Sequence, residues 1–225
     1  VRVAFGIKQL AWRSVEQPVI MPKPDLIPLT GGYRKIPVMQ IGADVYCDTQ
    51  IILRELERRY PTPSIFPIKN GLAYAIAFWS DRLFFMPTVG VVFSEIGHMV
   101  PEEFKQDRAK MSGRTFSTEA MAARAPYAKD QWRAHADFVG ETLEDGRAFM
   151  GGPEPGAADI HAYMNFWWIK AAIPHVAGSM LKEFPKIKAW VARVAALGHG
   201  KQTPMDPQEA LAVAKAATSD ATPST

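Results

Sequence analysis

A proline at the first position of a short β-prone segment limits what the surrounding chain can become, because it removes one ladder donor and fixes φ. Pro37 stands at such a position, after Lys35-Ile36 and ahead of Val38 to Ile41. A second β-prone segment, Val45 to Cys47, follows the turn residues Gly42-Ala43-Asp44, so the pair predicts a hairpin. Asp48 and Thr49 are helix-capping types. Beyond them Ile51, Ile52, Leu53 and Leu56, interleaved with Glu55, Glu57, Arg58 and Arg59, predict an amphipathic helix that Pro61 and Pro63 stop.

A proline of this kind belongs at a strand's first residue or at a cis turn. With a cis bond before Pro37, the backbone of Ile36 keeps polar groups facing outward, where an extended peptide pairs as an added strand. The helix start one hairpin later offers exposed N–H groups and the Thr49 hydroxyl, which suit a carboxylate. Side by side, the two make a site for a small anionic peptide. The arrangement resembles the glutathione site of glutathione transferases. Their thioredoxin-like domain has a cis-proline before its third strand and an acidic residue plus Ser or Thr opening its third helix; Pro37 and Asp48-Thr49 occupy those positions. The resemblance implies glutathione as co-substrate. It assigns the peptide backbone to Ile36 and Val38, and the γ-glutamyl end to Asp48 and Thr49. Lys35 sits where the family often has a Lys or Gln near the glycine end. A solvated surface cation is the other reading of Lys35, and the two stand side by side.

At 225 residues, 48% hydrophobic and 22% charged, the chain has the composition of an ordinary globular protein large enough for one or two domains. A net charge of +3 with scattered basic residues points to no nucleic-acid partner. The lone Cys47 excludes an intrachain disulfide framework and a cysteine-based zinc site, and it fits a reducing cytoplasm. It reads as a small buried hydrophobe. No apolar run approaches the roughly 20 residues of a membrane span, and no signal-peptide pattern opens the chain, so no membrane partner is expected. The histidines show neither HxxxH nor HExxH spacing, so no metal is expected.

Val1 to Leu10 has helical spacing, and Trp12 to Glu16 alternates like a strand. In the resembling family these are the first helix and second strand. That correspondence places the first strand, and the loop whose Tyr, Ser or Cys activates the glutathione thiol, upstream of Val1, leaving the catalytic residue unassigned. Pro18 to Tyr33 is proline- and glycine-rich, an irregular connection with at most a helical turn near Asp25 to Leu29. Pro61 to Pro67 reads as a linker.

After it the pattern is helical. Leu72 to Met86 forms a helix that Pro87 kinks or ends, Pro101 and Ser117 start others, and Trp132, Ala136, Val139 and Leu143 stripe another. Phe78, Trp79, Phe84, Phe85 and Phe93 are core, a substrate cleft or a dimer surface. Gly156-Ala157-Ala158-Asp159 resembles the family's capping box with Gly in place of Ser or Thr, and Phe184 to Trp190 resembles a later family helix. Asp206-Pro207-Gln208-Glu209 caps an alanine-rich helix, and Thr218 to Thr225 reads as linker or frayed tail.

The expected fold is an α/β thioredoxin-like domain over 1–67, lacking its first strand, and an all-helical substrate and dimerisation domain over 68–205. A short helix and tail follow over 206–225. The resemblance implies a cytoplasmic homodimeric detoxification enzyme that joins the glutathione thiolate to an electrophilic apolar small molecule. A glutathione-dependent isomerase, dehalogenase or reductase on the same frame stays open, as does a noncatalytic binding protein.

Overall fold

The computed structural model describes residues 1–67 and 71–220. Two compact units emerge, one of Val1–Ser64 with the stretch from His199 onward, the other of Ile65–Gly198. The expected boundary between 67 and 68 abuts residues 68–70, which lie outside the described residues, as do 221–225.

In the first unit α1 (Arg2–Ile7) buries Val3, Phe5 and Ile7 ahead of β1 (Ala11–Ser14). The proline-rich connection contains one short helix, α2 (Ile27–Thr30), which ends on Gly31 at φ 60°. β2 (Val38–Ile41) and β3 (Asp44–Cys47) form the expected antiparallel hairpin around Gly42, also at φ 60°. α3 (Thr49–Arg59) follows and buries Ile52, Leu53 and Leu56. Its far end is closed by an unexpected group. The buried Lys8 ammonium donates to Glu57 Oε2 at 2.8 Å and to the carbonyls of Tyr60 and Pro63, satisfying the helix's C-terminal end with positive charge.

The second unit opens with α4 (Leu72–Phe78), a π-helical turn (Trp79–Phe84) and α5 (Phe85–Ile96). Pro87 neither ends nor breaks this run. Proline has no N–H to give and crowds the carbonyl four residues back, and the wider turn that ends at Phe84 opens the ladder at that point. The resulting helical run, Leu72–Met99, spans 28 residues and contains an 18-residue window of mean hydropathy 1.3, long and apolar enough to cross a bilayer by length and composition. The sequence reading, which has Pro87 kink or end the helix, did not count the run as one. The run carries the fully buried Ser80 and Thr88. Ser80 Oγ donates to the His161 carbonyl at 2.7 Å, and Thr88 Oγ1 donates to Asn165 Oδ1 at 2.9 Å. Those bonds pack it as a core helix of this unit.

α6 (Glu102–Ser112), α7 (Thr118–Ala123), α8 (Ala125–Thr142), α9 (Ala157–Ala172), α10 (Pro174–Leu181) and α11 (Pro185–Ala196) complete the unit. Phe84, Trp132, Phe166 and Trp190 meet in its centre, with Trp132 and Phe166 ring centroids 5.2 Å apart and edge-on. The aromatic stripe therefore divides: Phe84 and Phe93 are core, while Phe78 is exposed.

Asp159 anchors α9. Its carboxylate accepts from Gly156 N at 3.0 Å, Met150 N at 2.9 Å and Trp190 Nε1 at 2.8 Å. Burial pushes its pKa up, and the three donors oppose that shift. Glycine stands at 156 for a steric reason: a Cβ there lies 2.7 Å from Pro67 Cδ and 3.1 Å from the Ile65 carbonyl. That carbonyl accepts from Ala157 N at 2.7 Å, and Ile65 is fully buried, so the expected linker ends in an anchor.

The last stretch rejoins the first unit. β4 (Lys201–Pro204) pairs in parallel with β1, Ala11 opposite Lys201. Gly200 at φ 70° lets it approach, since a Cβ there lies 2.3 Å from the Leu10 carbonyl. α12 (Pro207–Ala216) is the expected alanine-rich helix, with Asp206 capping Gln208 N at 2.8 Å. The tail expected to fray is held as far as it is described. Gln40 Nε2 donates to the Ala210 carbonyl at 2.8 Å, and Asp44 accepts from Ser219 Oγ and Asp220 N.

Asp159→Ala leaves three buried donors without an acceptor and lowers unfolding stability by about 3 kcal/mol or more in a denaturant titration. Gly156→Ser costs about 1–2 kcal/mol in the same titration although serine is a good cap, because the clash outweighs the added bond.

Candidate functional site

The hairpin register brings the predicted site residues together. Val38 pairs with Cys47, so one step further along the two strands stand Pro37 on one side and Asp48 on the other. Ile36-Pro37 and Asp48-Thr49 thus share one end of the hairpin, within the roughly 5 Å spacing of adjacent strands.

On the first side Lys35, Ile36 and Pro37 are all exposed, Ile36 by 57%, and the Ile36–Pro37 bond is cis. Among the described residues the main chain of Ile36 makes no hydrogen bond. Among the described residues β2 pairs with β3 in a two-stranded sheet. Unbonded main-chain groups such as those of Ile36 can receive an added extended peptide.

On the second side Asp48 is exposed, adopts φ 81°, and caps α3 through Oδ1, which accepts from Gln50 N at 2.9 Å. Asp48's carbonyl accepts from Ile52 N at 3.0 Å. Thr49 is the first helical residue and half-buried. A carboxylate beside a helix start is a two-signed arrangement: the side chain attracts an ammonium, and the first-turn N–H groups attract a carboxylate. A free amino acid end carries both. Lys35 forms no ion pair among the described residues, so its exposed ammonium is available to an anion or to solvent.

Two neighbours escaped the sequence reading. Tyr33 is half-buried, and its phenol is pushed up by burial and then by the negative charge of Asp48, which places it in the electrostatic reach of the site. Glu55 is the second. Tyr46 on β3 donates its hydroxyl to Glu55 Oε1 at 3.2 Å, Arg58 donates from Nε at 2.8 Å and from Nη2 at 2.6 Å, and Arg59 Nε adds a further bond. This carboxylate ties strand to helix across the Asp48 corner. The hydrogen bonds from Arg58, outweighing burial and aided by those from Arg59 and Tyr46, hold Glu55 down from its ordinary 4.5 to about 2. The i, i+3 and i, i+4 spacing to the arginines was visible in sequence; the Tyr46 partner was not.

Cys47 lies next to the site, and burial pushes its thiol up, away from the thiolate. Among the described residues no group of three His, Cys, Asp or Glu side chains is arranged to hold a metal.

Residues 1–64 match the family model described as glutathione S-transferase, N-terminal domain, and residues 89–202 match a domain of unknown function, DUF7962. A glutathione-S-transferase-like protein from Pseudomonas syringae is 32% identical, covering all of this chain and 72% of its own, with a TM-score of 0.77. A Tau class glutathione S-transferase from mango, Mangifera indica, is 19% identical over 87% of this chain and 81% of its own, with a TM-score of 0.64. A glutathione S-transferase of Ceriporiopsis subvermispora, solved in complex with glutathione, is 19% identical over 87% and 88%, with a TM-score of 0.60. The last two likenesses concern the fold alone. No curated protein matches the chain.

Because Glu55 titrates lower when folded than the ordinary 4.5, its contribution is complete above about pH 4.5 and is lost as pH falls toward about 2. Glu55→Gln is therefore less stable than the parent by about 2 kcal/mol at neutral pH. In thermal melts the gap narrows progressively between those two pH values.

Proposed function

This chain belongs to the glutathione S-transferase family, and from that premise we propose that it binds glutathione at the Pro37–Asp48 end of the hairpin and joins the thiolate to an apolar electrophile. The observation that carries the reading is the register of Val38 with Cys47, which sets the exposed Ile36-Pro37 main chain beside an acid-capped helix start. In this reading Ile36 and Val38 offer main-chain groups to the cysteinyl part of the tripeptide, whose own backbone pairs as an added strand. Asp48 takes the α-ammonium of the γ-glutamyl end, while the α3 start and the Thr49 hydroxyl take its carboxylate. Lys35 takes the glycine carboxylate. The crystal complex of the Ceriporiopsis enzyme with glutathione supports glutathione as the ligand class for this fold.

Held this way, the tripeptide has its thiol fixed in place, so attack on a second substrate becomes effectively unimolecular. The remaining requirement is to lower a thiol pKa of about 8.5 toward neutrality by a hydrogen bond and a positive field. No described residue is assigned that donor role. The acceptor substrate is apolar and electrophilic, and the functional unit is a homodimer that covers the exposed Phe78, Leu83 and Met86 of the long helix.

Glutathione binding followed by calorimetry on the full-length protein tests the site. The Asp48→Ala, Thr49→Ala double variant binds at least about tenfold more weakly than the parent, and Lys35→Gln about threefold. Equal affinity of parent and double variant removes the site from this end of the hairpin. Turnover of a chloronitrobenzene by the parent separates a transferase from a binding protein. Light scattering of Leu83→Glu, expected to give half the parent mass, tests the dimer.

A further inference from the structure

A groove of about 490 Å³ lies on the helical unit, and none of the residues assigned above lines it. It runs along α10 between the end of α9 and the side of α11. It is lined by the exposed Lys170, Lys182, Lys188, His175 and Ser179, and among the described residues no acidic side chain lines it. Leu181 and Val191, both buried, supply an apolar floor.

Glu183, beside Lys182, and Glu144, beside the α11 residue Lys186, are engaged elsewhere. Glu183 accepts from Arg133 Nε at 2.8 Å and Nη2 at 3.0 Å, and Glu144 pairs with Lys186 at 2.5 Å. Among the described residues none of Lys170, Lys182 and Lys188 forms an ion pair. Three ammonium groups around one concavity repel each other and are left without a protein counter-charge. Such a focus of positive potential attracts multiply charged anions. The ammonium is a freely rotating triple donor, suited to phosphate oxygens from several directions.

We propose that this groove is a binding site for a small organic phosphate, its dianionic group held by Lys170, Lys182 and Lys188 and its apolar body resting on Leu181 and Val191. Ser179 and His175 add hydrogen bonds to the phosphate oxygens. The groove shares no lining residue with the glutathione site, and a second ligand is expected to bind with glutathione present.

The test is amide NMR of the full-length protein in about 0.15 M salt, where the Debye length is about 8 Å and loose surface attraction is screened. Phenyl phosphate is the probe. Saturable shifts are expected among amides of residues 170–191, at least about tenfold tighter than for inorganic phosphate because of the apolar floor, and unchanged by saturating glutathione. The Lys182→Gln, Lys188→Gln variant, altered only at exposed side chains, keeps the parent's thermal midpoint and binds at least about tenfold more weakly. Absence of saturable shifts, or equal affinity in the variant, overturns the proposal. Since a phospholipid headgroup carries the same chemistry, sedimentation with phosphatidylglycerol vesicles is the second arm. Vesicle binding that phenyl phosphate does not displace overturns the small-ligand assignment, and no vesicle binding beside tight phenyl phosphate binding supports it.

Discussion

The Glu55 carboxylate does for the hairpin corner what no backbone bond does, since it joins Tyr46 on the outgoing strand to Arg58 and Arg59 one turn further along the helix. A strand that ends in a residue at φ 81° and turns at once into a helix has many directions open to it, and the carboxylate selects one. With that direction set, the register of Val38 and Cys47 decides the rest: Pro37 and Asp48 stand opposite each other at one end of the hairpin, and α3 starts directly after Asp48. Slipping the register by one residue would turn the faces of the strands and separate the two halves of the site.

The helical unit uses the same economy of polar groups in its interior. Asp159 collects donors from a loop, a cap and a distant helix, while Ser80, Thr88 and Asn165 close a second set of bonds between the long helix and α9. Both sets are fully buried, where leaving a partner unmet costs more than the bond itself contributes. They therefore specify which helices meet and in what order along their lengths. Gly156 belongs to this pattern as well. The capping hydroxyl expected there gives way to close contact with Pro67, which seats the start of α9 against the chain arriving from Ile65.

Local signals were legible and long-range ones were not. The hairpin, the Asp48 cap, the Asp206 cap and the amphipathic α3 follow from residue types within a few positions of one another. Lys8 read as one more basic residue in a helical stretch, because its partners at Glu57, Tyr60 and Pro63 lie about fifty positions away. β4 carried no signal at all: Lys201 to Pro204 is polar and fully exposed, and it pairs with β1 through its backbone alone. Of the two outcomes expected at Pro87, a kink or an end, the helix does not end there, and a π-helical turn precedes the proline. For the candidate site, the order of Pro37, the hairpin and Asp48-Thr49 was legible in the sequence, while Tyr33 and Glu55 entered only through folding.

The account rests on a tripeptide lying along the free segment before β2 with its amino-acid head at the start of α3. Titration of the isotopically labelled protein with S-methylglutathione, read as amide shift perturbations, tests this most directly. The account predicts saturable shifts at Ile36, Val38, Thr49 and Gln50 together, with a common dissociation constant. Saturation with those four amides unmoved would contradict it.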